Sequence, residues 1–328
     1  MIEQNALPRL RPMTLGDMFD AAFRLYRRYF FTFIGVAALL QMPIAIAQMA
    51  LQFTIGGNFL TEWMRAVTTP ALPGSNPFSA LPFGQLAMYM GFTFALSIVQ
   101  VLLVQSLING ALANAVSRAY TGQPISILDA YRIGWRRFFA LVGAAMVPLL
   151  ASTVLFGVLA GCVAGSFFFL LRGGDTNSSA LAGALIAIVI FGAFIVGGLV
   201  ALFLYVRLCL TTQAIVLENQ GPLTGIARSW RLTSGAFWRA LGLIVLLFLL
   251  AYVISAIPTS MVSFALQLIS AGDLTALMRN QAIVSGIAVL GQILVLPFQL
   301  VIYTMLYYDL RMRKEGYDLE LMAQQATL

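Results

Sequence analysis

An all-α polytopic membrane fold is predicted, with six transmembrane helices in three parallel repeats of an interfacial amphipathic helix plus a transmembrane hairpin. Three observations predict it. Hydrophobic residues are 60% of the chain and charged residues 9%, with a mean hydropathy of +0.90, whereas soluble domains carry roughly 25% charged residues. Apolar runs at 30–54, 84–117, 138–171, 180–209, 240–268 and 280–308 each exceed the roughly 20 residues needed to cross a bilayer. The junction leading into every second run also recurs along the chain.

The first repeat, 14–118, opens with Leu15, Met18, Phe19, Ala22, Phe23 and Tyr26 at three- and four-residue spacing. Asp17, Asp20, Arg24, Arg27 and Arg28 fill the other face, the pattern of a helix lying in the membrane interface. Thr14 with Asp17 reads as a capping box that starts it. Two spans follow, joined by a segment containing Pro70, Pro73, Pro77 and Pro82. The second repeat, 122–218, opens with the box Ser126 and Asp129 and places its hairpin turn at Arg172 to Ser179. The third, 222–310, opens with Thr224 as the expected cap and turns at Ala271 to Gln281. Residues 311–328 form a tail, expected to be cytoplasmic, that suits an interfacial helix or a docking strip for a protein partner, its acids favouring docking.

Superposition of the repeats is ungapped at the junctions. A shift of 108 residues places Phe23-Arg24-Leu25 on Tyr131-Arg132-Ile133, Arg28 on Arg136 and Phe30-Phe31 on Phe138-Phe139. A further 99 residues on stand Trp230-Arg231-Leu232 and Phe237-Trp238, with Gly235 in place of the second arginine. Arginine binds phosphates at headgroup depth and aromatic rings settle beside it, so each junction pins the chain where it enters the bilayer. Arg24, Arg132, Arg231, Arg28 and Arg136 are therefore the candidate contacts for anionic lipid. Three hairpins that each return to the starting face are related by an axis along the membrane normal. Mitochondrial carriers share that plan, but no acid–base pair follows Pro43, Pro148 or Pro258 here, so no carrier gate is expected.

Topology follows from charge. Sixteen of the 19 lysines and arginines fall on the face of the termini, against Arg65, Arg172 and Arg279 opposite. By the positive-inside rule the termini are cytoplasmic. Much of the net charge of +7 is thus topological and is no nucleic-acid footprint.

The absence of histidine removes imidazole catalysis and His–metal sites from this chain. No phosphate loop, HExxH or GxSxG pattern occurs; Gly173-Gly174 stands in a short turn without a following lysine. Cys162 and Cys209 each lie within an apolar run, so neither a disulfide nor a thiolate cluster is expected. No metal or cofactor is expected. Arg207 is the ionisable residue inside a span, at the end where an arginine snorkels. Gln41, Gln48, Gln52, Gln100, Gln105, Asn109, Gln292 and Gln299 place amides in hydrocarbon, where they hydrogen-bond between helices. Gly157, Gly161 and Gly165 form a small-residue face expected to meet another helix closely. Arg27-Arg28 is no twin-arginine export signal, because the same junction recurs at Arg136-Arg137.

The run Leu10-Arg11-Pro12-Met13-Thr14-Leu15-Gly16-Asp17, with Arg228-Ser229-Trp230-Arg231-Leu232-Thr233 and Tyr308-Asp309-Leu310-Arg311, resembles the bacterial family named for the membrane domain of glycerophosphoryl diester phosphodiesterase. Glu315-Gly316-Tyr317-Asp318-Leu319 extends the likeness. The resemblance implies a bacterial inner-membrane protein connected with phospholipid or glycerophosphodiester metabolism. In some members that domain is joined to a soluble phosphodiesterase barrel, whose activity is not implied here, since the barrel uses histidines and metal-binding acids and this chain has no histidine. The expected function is non-catalytic: lipid interaction or scaffolding, with anionic membrane lipids and a cytoplasmic or membrane protein as partners. Small-solute or lipid transport is the alternative.

Overall fold

The computed structural model describes residues 13–68, 82–120, 122–172, 176–270 and 274–315. Among these every element is helical. Arg9, Arg11, Pro70, Pro73, Pro77, Gly173-Gly174 and the tail from Gly316 lie outside the described residues, as do the side chains of Cys162, Arg172 and Arg279.

Amphipathic helix α1, Leu15–Arg28, starts at Thr14, whose hydroxyl accepts from the Asp17 amide at 3.2 Å while the Asp17 carboxylate accepts from the Thr14 amide at 3.0 Å. The predicted capping box is therefore formed. One residue, Tyr29, separates α1 from α2, Phe30–Leu51, which runs through a π-helical turn, Gln52–Gly56, into α3, Gly57–Thr68. Helical hydrogen bonding thus continues past the apolar run ending at 54, through a segment that carries Glu62 and Arg65.

The return span is α4, Phe83–Ile98, a second π-helical turn, Val99–Gln105, and α5, Ser106–Tyr120. Helix α6, Ile127–Arg136, begins at Ser126 as expected, although the Ser126 hydroxyl makes no capping bond. Long helices α7, Phe138–Arg172, and α8, Thr176–Leu208, form the second hairpin, and short α9, Thr211–Leu217, follows. Helix α10, Pro222–Thr233, starts two residues before the expected cap. Pro222 takes the first helical position, where its missing N–H costs nothing, and the Thr224 hydroxyl donates to the Gly221 carbonyl at 3.1 Å. Helix α11, Phe237–Ala251, a third π-helical turn, Tyr252–Ala256, and α12, Ile257–Ile269, make the fifth span. Helix α13, Leu274–Glu315, makes the sixth.

Six of these helical stretches are long and apolar enough to cross a membrane, which makes the chain a multi-pass membrane protein. Their burial is unequal. The most apolar window of the last span is 39% buried, against 6% for the second and fourth spans, so α13 is the central post. It packs on α1, α2, α5 and α12, while the α7–α8 hairpin stands at the flank. The main core fills the basic end, where Met18, Phe33, Ile108, Leu112, Leu243, Ile302 and Tyr307 are buried together.

The short amphipathic helices are fastened to the bundle. In α1 Phe19 and Tyr26 pack on Phe298 with ring centroids 6.1 and 5.7 Å apart, and the Tyr26 hydroxyl donates to the Leu294 carbonyl at 2.8 Å. The Tyr131 hydroxyl of α6 donates to the Val36 carbonyl. The glycine face of α7 corrects an expectation: a Cβ placed on Gly157, Gly161 or Gly165 would meet nothing within 4 Å among the described residues. Small residues permit close approach without compelling it, and this face turns to the surround. Gly134 of α6 instead makes a close backbone contact, its virtual Cβ 3.1 Å from the Ala111 amide nitrogen of α5.

Candidate functional site

Halfway along the spans lies a cavity of about 520 Å³ bounded by α2, the π-helical turn at Val99–Gln105, the fifth span and α13. Gln41 stands eleven residues into α2, hence roughly 17 Å from its start at 1.5 Å per residue, about mid-depth in a 30 Å hydrocarbon layer. The lining is apolar except for Gln41, Gln105, Gln292, Gln299, Tyr252 and Ser255. Among the described residues no carboxylate, amine or guanidinium reaches it. Phe248 and Tyr252 line it while 69% and 54% exposed, so the mouth opens sideways towards the bilayer.

The polar groups come together by helix periodicity. Ser285, Gln292 and Gln299 recur every seven residues on α13, two helical turns apart, and so share one face. Facing them, the Gln41 amide donates to Gln292 at 3.4 Å and accepts from Gln100 at 3.1 Å, and the Ser285 hydroxyl donates to Gln52 at 3.2 Å. The set is incompletely satisfied: Gln100, which donates to Gln41 but does not itself line the cavity, keeps its Oε1 buried without a partner. Buried amide oxygens without partners are costly in hydrocarbon and mark a place for a donor.

All three π-helical turns found among the described residues supply polar side chains to this system: Gln52, then Gln100 and Gln105, then Ser255. Such turns carry an extra residue per turn, loosen the backbone ladder and concentrate at functional sites. The turn at Tyr252–Ala256 abuts α13 at Gly291, where an added Cβ would sit 2.6 Å from Ser255 Oγ and 3.1 Å from Ser255 Cα. Only glycine admits this approach.

The sequence-predicted arginines occupy the opposite kind of environment. Arg24, Arg28, Arg132, Arg136 and Arg231 are all exposed, on α1, α6 and α10. Arg28 lies over the Tyr29 ring at 5.4 Å. No hydrogen bond or ion pair among the described residues draws the five towards a shared point. Arg207 is half-buried, its guanidinium 5.1 Å from the Phe203 and Trp230 ring centres and 5.8 Å from that of Phe237. These rings hold the cation and tie α8 to α10 and α11.

Other basic residues serve a structural latch that the sequence reading missed. Asp309 is fully buried and accepts from the Met13 amide at 2.9 Å, Arg239 at 3.1 Å and Arg313 at 3.0 Å. Glu218 accepts from Arg228 at 2.7 Å and from the Tyr307 hydroxyl, and Arg311 stands 3.5 Å away; Arg228 also grips Glu315. Burial works to raise the Glu218 carboxyl, but the hydrogen bonds and charges of Arg228, Tyr307 and Arg311 outweigh it and hold the group below its ordinary 4.5. The signal was present as Asp309 four residues before Arg313 at the end of an apolar run. Its long-range partners were not.

A family model described as a domain of unknown function, DUF7847, matches residues 29–310. The chain belongs to that family. The DUF7847 match spans the whole amide cavity and both Glu218 and Asp309, while α1 precedes it. No curated protein and no solved structure matches this DUF7847 member.

Proposed function

We propose that this chain is a non-catalytic, lipid-interacting or scaffolding protein of the bacterial inner membrane, connected with phospholipid or glycerophosphodiester metabolism. In this reading its termini are cytoplasmic and its six spans form three parallel repeats. The amide-lined cavity with a sideways mouth carries the reading. Uncharged donors and acceptors at mid-depth match the ester carbonyls and hydroxyl of a neutral lipid that enters from the bilayer, and would repel neither its chains nor its glycerol. The basic asymmetry of the sequence supports the orientation, and the likeness to the phosphodiesterase-associated membrane domain supports the metabolic setting.

The test uses vesicles of phosphatidylethanolamine and phosphatidylglycerol containing a diazirine-bearing diacylglycerol. Crosslinks are expected to concentrate on Phe248 to Ala256 and Gln292 to Gln299, and to fall in a Gln41→Leu/Gln292→Leu variant. Labelling spread evenly over all six spans would sink the reading.

Small-solute or lipid transport is a second reading, favoured by the polar stripe Ser285, Gln292 and Gln299, which extends along α13 beyond the cavity. Flux through reconstituted vesicles that stops on Gln292→Leu would establish it; no flux across a solute panel would count against it.

A further inference from the structure

At the basic end a second recess, a cleft of about 410 Å³, lies between the start of α11 and the end of α13. Gly235, Ala236, Trp238 and Arg239 form one wall and Leu310, Arg313 and Lys314 the other. We propose that this cleft binds a phosphate group, and that the phosphate is the headgroup of an anionic membrane lipid.

Charge argues for it first. Three cations line the cleft, and the carboxylate beside them, Asp309, is fully buried and shared between Arg239 and Arg313. Two positive charges are left over, which suits a phosphate. Hydrogen bonding argues next. Arg239 spends Nη2 on Asp309 and on the Met13 carbonyl, while its Nε is buried with no partner. A buried guanidinium N–H without an acceptor is costly, and the Arg239 side chain remains 22% exposed on the cleft wall, where an oxyanion can pair with its charge.

Backbone geometry adds to this. The turn from α10 to α11 passes through Gly235 at φ +78°, leaving open space where a side chain would stand. Helix α11 then follows its N-cap Ala236 with no side-chain cap and no acid in its first turn, so its first amides and the positive end of its dipole favour an anion. Lys314 holds the turn by donating to the Arg231 and Ser234 carbonyls. Depth decides the source. Trp238 is 80% exposed at the point where the fifth span enters the bilayer, and an exposed tryptophan there settles among headgroups. Nine residues of α11 separate Arg239 from Phe248 at the cavity, roughly 14 Å along the helix, so the cleft lies at headgroup level when the cavity is at mid-depth.

The phosphate site stands on the cleft alone; only its lipid source rests on the lipid-interacting reading above. The full chain is purified with its lipids from vesicles containing phosphatidylglycerol and diacylglycerol, and retained lipid is read by native mass spectrometry. Two variants are compared: Arg313→Gln/Lys314→Gln, and Ala236→Glu, which leaves every ion pair in place and sets a carboxylate in the cleft. Both are expected to reduce retained phosphatidylglycerol about tenfold or more, the worth of one or two charged hydrogen bonds. Diacylglycerol retention should be unchanged. Phosphatidylglycerol held by folded Ala236→Glu as in the parent chain would overturn the proposal. Inorganic phosphate displacing the lipid from the parent chain but not altering the Ala236→Glu variant would support the phosphate chemistry. Binding of inorganic phosphate with no retained phosphatidylglycerol would keep the site and reject the lipid as its source. Gln41→Leu/Gln292→Leu is expected to leave phosphatidylglycerol unchanged, so failure at the cavity and failure at the cleft are distinguishable.

Discussion

The basic end and the mid-span cavity solve the problem of buried polarity in opposite ways. At the basic end the carboxylates are saturated: Asp309 takes three donors and Glu218 is gripped by Arg228 and Tyr307. In the cavity Gln41 and Gln292 meet at a loose 3.4 Å, and Gln100, which donates to Gln41 from outside the lining, keeps a buried oxygen without a partner. Buried carboxylates are costly to leave unpaired in low dielectric, and here they lock helix ends; amides survive partial satisfaction and so leave room for a ligand. Rigidity and adaptability are thereby assigned to different depths of the same bundle.

The strongest way to break the comparison is at Asp309. Asp309→Ala leaves Arg239 and Arg313 without their carboxylate, and the loss of a buried pair is expected to cost about 3–5 kcal/mol. Thermal unfolding in detergent should show it; a stability near that of the parent chain would mean the latch is not structural. Next comes the contact between the third π-helical turn and α13. Gly291→Val forces side chain into Ser255, and about 1–3 kcal/mol of overpacking is expected, with diacylglycerol crosslinking lost. Retained crosslinking would move the lipid away from this turn.

Glu218→Gln sharpens the ionic half. The Glu218 carboxyl is held below 4.5, so its contribution is fully present above that value and is lost as pH falls through the depressed one. The substitution is expected to cost about 1–2 kcal/mol near neutrality and to flatten the acid limb of a stability–pH profile. An unchanged acid limb would reassign that limb to other carboxylates. Gln41→Leu is expected to change stability by only about 1 kcal/mol, in keeping with interhelical amide bonds in bilayers, while reducing lipid crosslinking; the reverse pattern would make the amides structural. Smallest of all is the triple change of Arg24, Arg132 and Arg231 to Gln. These exposed side chains should alter stability by less than about 0.5 kcal/mol, and the measurement of interest is anionic lipid retained on purification. Equal lipid content would leave these arginines as anchors only.

Much of this arrangement was legible beforehand, and particular residues show how far. Thr14 and Asp17 announced the start of α1 because a capping box is a local device, complete within four residues. The amides were visible as polar residues within apolar runs, yet not as a cavity, since Gln41 and Gln292 are 251 positions apart. Gly157, Gly161 and Gly165 carried a pattern for close packing that this chain does not use, whereas Gly291 stood alone in the sequence and makes the tight contact. Thr224 was a reasonable cap overtaken by Pro222, whose fixed φ starts a helix without one.

Composition and hydropathy by themselves determined a membrane protein with six spans, and the uneven basic residues marked one end of it as different from the other. Those are sums over residues and need no knowledge of which helix touches which. Which polar groups meet, which arginines are consumed by Glu218, Asp309 and Glu315, and where space is left at the cavity and the cleft were decided only by the packing around α13. Helical periodicity states which face a residue occupies, but the partner of that face is set by how the helices are placed side by side.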